Sequence, residues 1–286
     1  MRHLPTFAAA ILLVACGGGD TEPGVDTPGR DQQPGTRLLD AGAALIQDKP
    51  PIDAINSYLD GFHFYSGNMD GQMEAHHYCS SLNEDVIQCV IYDGNVAEAR
   101  IMGVEYIIGE ELFRQLPAAE KDLWHSHVYE VRSGQLVAPG LPGAAERALM
   151  EKLVRTYGKT WHTWHTDMGK DLPYGVPQLM MGFTADGQAD ADMIDARDAR
   201  LGVDSSERQQ ARLDIEAPPI VPGADAWQQG RVVQLEDPTG QHHGASHGAT
   251  PSGEQAPGAE ADTNASAAPA AERGSDAEQA PAPPAE

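Results

Sequence analysis

The sequence predicts an α+β fold: a single domain with a mainly antiparallel sheet and packed helices. Three observations carry this. Short runs alternate apolar and polar residues and are closed by turn signals. Helical-period stretches are interleaved with them without the regular strand–helix alternation of a parallel sheet. The composition changes at both ends, which sets residues 37–216 apart as one ordinary domain.

Both flanks read as something other than fold. Met1-Arg2-His3 precedes the apolar run Phe7–Val14, too short to span a bilayer and suited to an export signal. Leu13-Val14-Ala15-Cys16 looks like a lipobox. Residues 1–15 are therefore expected to be a signal peptide, and Cys16 the site of lipidation by palmitate-like chains that anchor a soluble domain. An ordinary cleaved signal with an incidental cysteine is the other reading. Residues 16–36 are Gly- and Pro-rich and suit a disordered tether, and Gly17 rather than Asp points to the outer membrane of a bacterial cell envelope. Residues 217–286 form an acidic Pro/Ala/Gly-rich tail, mostly disordered by composition, with a short docked segment around Trp227, Val232, Val233 and Leu235.

Within the domain the elements follow in order. Leu38–Ile46 and Ile52–Leu59 have amphipathic helical spacing, separated by Pro50-Pro51. Phe62–Tyr65 is strand-like. Met73–Cys79 and Val86–Tyr92 flank a polar connector and suit a hairpin. Ile101–Ile108 alternates, with Val104, Tyr106 and Ile108 on one face. Glu111–Leu116 and the segment after Pro117 read as short helices. His125–Arg132 and Gln135–Ala138 bracket Ser133-Gly134 as a second hairpin. Ala144–Tyr157 is the clearest helix, with Gly158 as its expected cap. Thr160–Thr166 and Gln178–Thr184 read as strands, and Met180–Phe183 as core. Ala189–Leu201 and Asp204–Leu213 read as helices, the second capped by Asp204.

Charge narrows the partners. The chain carries 43 acidic against 19 basic residues, a net −24. Such a surface repels phosphate backbones, so no nucleic acid is expected as a partner.

The chemistry-bearing residues are histidines. His76-His77, His125-x-His127 and His162-x-x-His165 form three pairs, preceded by His63. On a strand His125 and His127 share a face with Tyr129, while Ser126 and Glu130 point away. His76 and His77 face opposite ways, and so do His162 and His165. The converging set is then His125, His127, one of His76 and His77, and one of His162 and His165. Neutral imidazoles suit a divalent transition metal such as Zn, Fe or Cu. Glu74, Glu130 and Asp167 are candidate catalytic or orienting carboxylates. A half-polar aromatic core of hydrogen-bonded imidazoles, interleaved with Trp124, Trp161 and Trp164, has the same signature.

Cys79 and Cys89 flank the first hairpin, and an envelope compartment allows a disulfide. With a tight connector at 80–85, Cys79 stands opposite Val86 and the two are roughly 10 Å apart, out of reach. A longer connector brings them together, and buried free thiols are the alternative.

Long strings carry a resemblance. Met73-Glu-Ala-His-His-Tyr-Cys79, Asn83-Glu-Asp85, Gln88-Cys-Val-Ile-Tyr-Asp93, Gly103-Val-Glu-Tyr-Ile-Ile108, Leu123-Trp-His-Ser-His127, Tyr157-Gly-Lys-Thr-Trp-His162 and Pro177-Gln-Leu-Met-Met-Gly182 closely resemble the oil-body-associated protein family over roughly residues 50–215. The resemblance implies one domain and a lipid-related setting, and brings no catalytic residues with it. The plant members work in a reducing cytosol with similar Cys-bearing strings, which speaks against a required disulfide. The leading expectation is thus a membrane-anchored envelope lipoprotein whose domain binds a lipid-like ligand or a partner. The alternatives are a metal-dependent hydrolase or oxygenase using the histidines, and a structural scaffold.

Overall fold

The structure is a computed structural model and describes residues 19–237. The expected signal, Cys16 and most of the acidic tail lie outside the described residues. The fold is α+β, as expected, and its sheet closes on itself. The strands are β1 (Ser57–Tyr65), β2 (Asn68–Ser81), β3 (Val86–Tyr92), β4 (Ile101–Gly109), β5 (His125–Ser126), β6 (Thr156–His162) and β7 (Gln178–Met181). β1 to β4 form an antiparallel meander, β6 pairs with β4, and β7 joins β6 to β1. This closes a six-stranded antiparallel barrel. The β1–β7 seam is short, at Phe64 opposite Met181 and Tyr65 opposite Met180. At the other end of the seam, β5 pairs with β6 at Gly158 and Tyr157, and Val137 bridges to Asp60.

Alternation along each strand fills the barrel in layers. Leu59, Cys79, Ile87, Cys89 and Ile107 form an apolar plug at one end. Tyr65, Met73, Ala75, Ile91, Met102 and Met180 form another. The polar layer containing His63, His77 and Glu105 lies on the same inward-facing strand positions, between these residues in sequence. Outside, Phe62, Phe64, Leu179, Met181 and Phe183 pack under Met193, Ile194 and Trp227.

Helices flank the barrel, the first two without a buried residue. They are α1 (Pro34–Ile46), α2 (Pro50–Asp53), α3 (Glu110–Arg114), α4 (Ala118–Lys121), α5 (Val128–Arg132), α6 (Gly143–Leu153), α7 (Ala191–Leu201) and α8 (Ser205–Ala211). Asp190 caps α7 by accepting from the amides of Asp192 and Met193, and Gly202, at φ 63°, ends it. Asp204 caps α8 through the Glu207 amide, as the sequence predicts. Among the described residues no helix is long and apolar enough to cross a membrane.

Four expectations are corrected. The helix over 52–59 stops at Asp53, because Leu59, Gly61, His63 and Tyr65 belong to one inward face of β1. The second hairpin does not form. Only His125 and Ser126 are strand, and Val128–Arg132 coils into α5, which places Val131 in the plug and Glu130 against the polar layer. Helix α6 ends at Leu153, so Tyr157 and Gly158 are strand residues of β6 and Gly158 caps nothing. β2 runs on to Ser81, which stands opposite Ile87, so the register places Cys79 directly opposite Cys89. The two form a disulfide with Cα atoms 4.1 Å apart.

A candidate metal centre inside the barrel

Six donor side chains meet in the polar layer. β1 supplies His63, β2 His77 and β4 Glu105. β5 supplies His125, His127 precedes α5, and α5 supplies Glu130. The sets His63–His77–Glu105, Glu105–His125–His127 and His63–His125–Glu130 each offer ligand atoms within 4.8 Å of one another. All six residues are at most 5% exposed. A cavity of about 10 Å³, the size of one water or one ion, touches His63, His77, Glu105, His127 and Glu130.

Glu105 is the hub. His77 Nε2 is 2.8 Å from Glu105 Oε2, and His127 Nε2 is 3.2 Å from Oε1. His125 Nε2 stands 3.6 Å from Oε1, and His63 Nε2 3.9 Å from Oε2. Glu130 Oε2 lies 3.8 Å from His125 Nε2 and 3.9 Å from His127 Nε2.

The surroundings fix how two of the rings are protonated. His77 Nδ1 is 3.0 Å from the carbonyl of Ala75, which can only accept, so Nδ1 carries the hydrogen. His127 Nδ1 is 2.8 Å from Thr156 Oγ1, whose own hydrogen goes to the Leu153 carbonyl at 2.7 Å, so this Nδ1 donates as well. Nε2 of each ring is thereby left beside a carboxylate oxygen of Glu105. Two lone pairs cannot face each other at such distances without a cation, proton or metal, between them. His77 Nε2, both nitrogens of His125 and Glu130 Oε2 are buried without a hydrogen-bond partner, an arrangement native interiors avoid unless something else satisfies the atoms.

Burial sets the charge states. It pushes His125 down to about 3, with His127 and His77 adding to the fall against the pull of Glu105. His63 is held well below the ordinary imidazole value by burial and then by His77. Both rings are thus uncharged at neutral pH, each with one bare nitrogen, the form that ligates. Burial opposes charge on Glu105, yet the imidazoles of His127 and His77 hold its carboxyl well below the usual range. Glu130 is raised well above it by burial, then by Glu105 and Asp225.

The other expected residues go elsewhere. His162 lines the barrel with its ring centroid 5.5 Å from that of His63, its basicity lowered to about 3 by burial, yet it is outside the donor sets. His165 and Asp167 meet Tyr65, whose hydroxyl is 3.1 Å from His165 Nδ1 and 2.8 Å from both Asp167 oxygens. His76 faces outward, as expected of the neighbour of His77. Its Nδ1 is 3.0 Å from Asp60 Oδ2, and its Nε2 is 3.4 Å from Glu74 Oε1. Asp60 pairs with Arg197 and Glu74 with Arg200, so this second cluster carries its own cations. Burial and Asp60 push Glu74 up to about 8 against the pull of Arg200. Tyr129 turns away from the centre and donates to Asp186 at 2.8 Å. Tyr129 and Glu130 thus exchange the faces expected of them, because the segment is helical. Glu105 is absent from the sequence-derived set. Its signal is an acid on the face of β4 opposite Val104 and Tyr106, between Gly103 and Ile107.

A family model described as a protein of unknown function, DUF1264, matches residues 49–216. Oil body-associated protein 1B of Arabidopsis thaliana is 42% identical over 219 residues, 76% of this chain and 91% of the relative. Oil body-associated protein 1A of Zea mays is 44% identical over 215 residues, 74% of this chain and 90% of the relative. The chain belongs to the oil body-associated protein family. Within that family, protein 2A of Zea mays is 40% identical over 230 residues, 79% of this chain and 88% of the relative. No solved structure matches the chain.

Proposed function

We propose that the barrel binds one divalent transition metal, with His63, His77, His125, His127 and Glu105 as ligands and Glu130 at their edge. The observation that carries this reading is the pair of imidazoles whose Nδ1 atoms are committed to Ala75 and Thr156, leaving their Nε2 atoms 2.8 and 3.2 Å from Glu105 oxygens, where a proton or a metal must stand between the partners. Structural zinc takes four donors in a tetrahedron, whereas imidazole and carboxylate donors together suit iron, copper or zinc. The cavity beside the donors admits a water-sized molecule, so a hydrolase or oxygenase acting on a large substrate would first have to open the barrel. Elemental analysis of the purified protein tests the reading. About one metal ion per chain is expected, falling at least about tenfold in His77→Gln and His127→Gln. Protein that is metal-free as purified, and stays so after refolding with iron, zinc and copper, sinks it.

A second reading has its own observation. A groove of about 480 Å³ on the outside of the barrel is lined by Ile52, Ile55, Tyr78, Val90, Tyr92 and Ile101, with no charged side chain on its wall. Helix α1 leads into it and exposes Leu38, Leu39, Leu45 and Ile46 at 75–87%. The relatives are named for association with oil bodies. Together these support binding of an uncharged, lipid-like ligand; the lipobox reading of Leu13–Cys16 would hold such a domain at a bacterial envelope membrane. Flotation with zwitterionic vesicles should lose the Leu45→Asp/Ile46→Asp variant. Equal flotation of that variant and the wild-type soluble domain would remove the helix from this role.

A further inference from the structure

The disulfide lies in the apolar plug, beside the proposed metal centre in strand register. Cys89 of β3 stands directly opposite Cys79 of β2 on one side and Glu105 of β4 on the other. Residues opposed in an antiparallel pair share a face, with Cβ atoms about 4.5–5.5 Å apart. Cys79 follows His77 by two residues and shares its face as well. Both sulfurs are buried in the plug with Leu59 and Ile107, which also line the small cavity at the donors.

We propose that Cys89 is a latent sulfur ligand of this centre, released by reduction of the disulfide. This rests on the metal reading above. Oxidised, Cys89 is bonded to Cys79, and the centre has nitrogen and oxygen donors only. A dithiol reductant supplies two electrons. The S–S bond breaks, each sulfur takes up a proton, and the reductant leaves as its own disulfide. Rotation about the Cα–Cβ bond of Cys89 then brings its sulfur toward the Glu105 carboxylate. On ligation the S–H bond breaks, a sulfur–metal bond forms, and the proton goes to solvent. A thiolate is the softest donor in the set, so it tightens binding and shifts preference toward zinc and copper. Redox state would thereby decide which metal the barrel keeps.

Cobalt(II) is the probe, titrated into oxidised and dithiothreitol-reduced wild-type protein whose thiol content is verified after unfolding. The oxidised form should bind cobalt without a thiolate-to-metal charge-transfer band in the near ultraviolet. The reduced form should show that band and bind at least about tenfold tighter. Cys79→Ser should show the band without reductant, and Cys89→Ser should bind cobalt and never show it. Identical spectra and affinities in the two wild-type forms overturn the proposal, and that comparison needs no variant to fold. Absence of cobalt binding in both forms overturns the metal reading itself, and with it this one.

Discussion

Gly158 shows how little room the interior leaves. It is a β6 residue with His125 paired on one side and Ile107 on the other. A Cβ there would meet Glu105 Oε1 at 2.0 Å and His125 Cε1 at 2.8 Å. Gly158→Ala is therefore expected to push the hub carboxylate off its histidines, costing roughly 1–3 kcal/mol in overpacking and most of the metal content. Denaturant melts with elemental analysis check both, and a stable, fully loaded variant would refute the placement of Glu105. This crowding also explains what was legible at this scale. Imidazole pairs announce themselves by chemistry and spacing, so His77, His125 and His127 could be named from the chain alone. Glu105 could not, because one acid between Val104 and Tyr106 reads as the solvent-facing position, whereas in the barrel those two face outward and Glu105 faces in. His63 stands alone in its segment, and only the β1–β2 register brings it to His77.

At the scale of elements, α7 is held by buried charge. Arg197 is fully buried, donates to Asp60 Oδ1 at 2.5 Å, to the Gln135 carbonyl at 2.9 Å and to Ser205 Oγ at 3.0 Å, and lies over the Phe62 ring. Removing one partner of such a pair leaves a buried carboxylate uncompensated, so Arg197→Ala should cost about 3–5 kcal/mol. Arg200, one turn on and 35% exposed at its side chain, should cost at most about 1 kcal/mol as Arg200→Ala. Urea melts of the two variants compare them, and equal losses would mean that the Asp60 network does not anchor the helix. Helices α7 and α8, and the Asp204 cap of the second, were readable because local chemistry specifies them. The segment 125–138 was not. Its Val-rich sequence suits a strand, yet α5 forms because a helical turn buries Val131 and carries Glu130 to the polar layer, a tertiary gain that outweighs propensity.

For the whole molecule, the boundary of the stable unit is set by what covers the barrel, and the family match ends short of it. Residues 217–237 are poor in regular structure, but they are tied down at several places. The amide of Val221 donates to Tyr157 Oη at 2.9 Å, and Asp225 Oδ1 accepts from the Ser126 amide at 3.0 Å. Trp227 packs edge-on against Phe64. Gln234 bonds the backbone of Leu179 and Ser66, beside the short seam between β1 and β7. The Asp225 contact is next to His125, so this strap also supports the strand that carries a proposed ligand. A chain ending at 216 should therefore melt several degrees below one ending at 237 and hold less metal, since even about 1 kcal/mol shifts the midpoint of a domain this size by roughly 2–4 °C. Differential scanning calorimetry of the two chains decides it. Coincident melts and equal metal content would show that the barrel closes on the strength of its own strands, with the strap as mere covering.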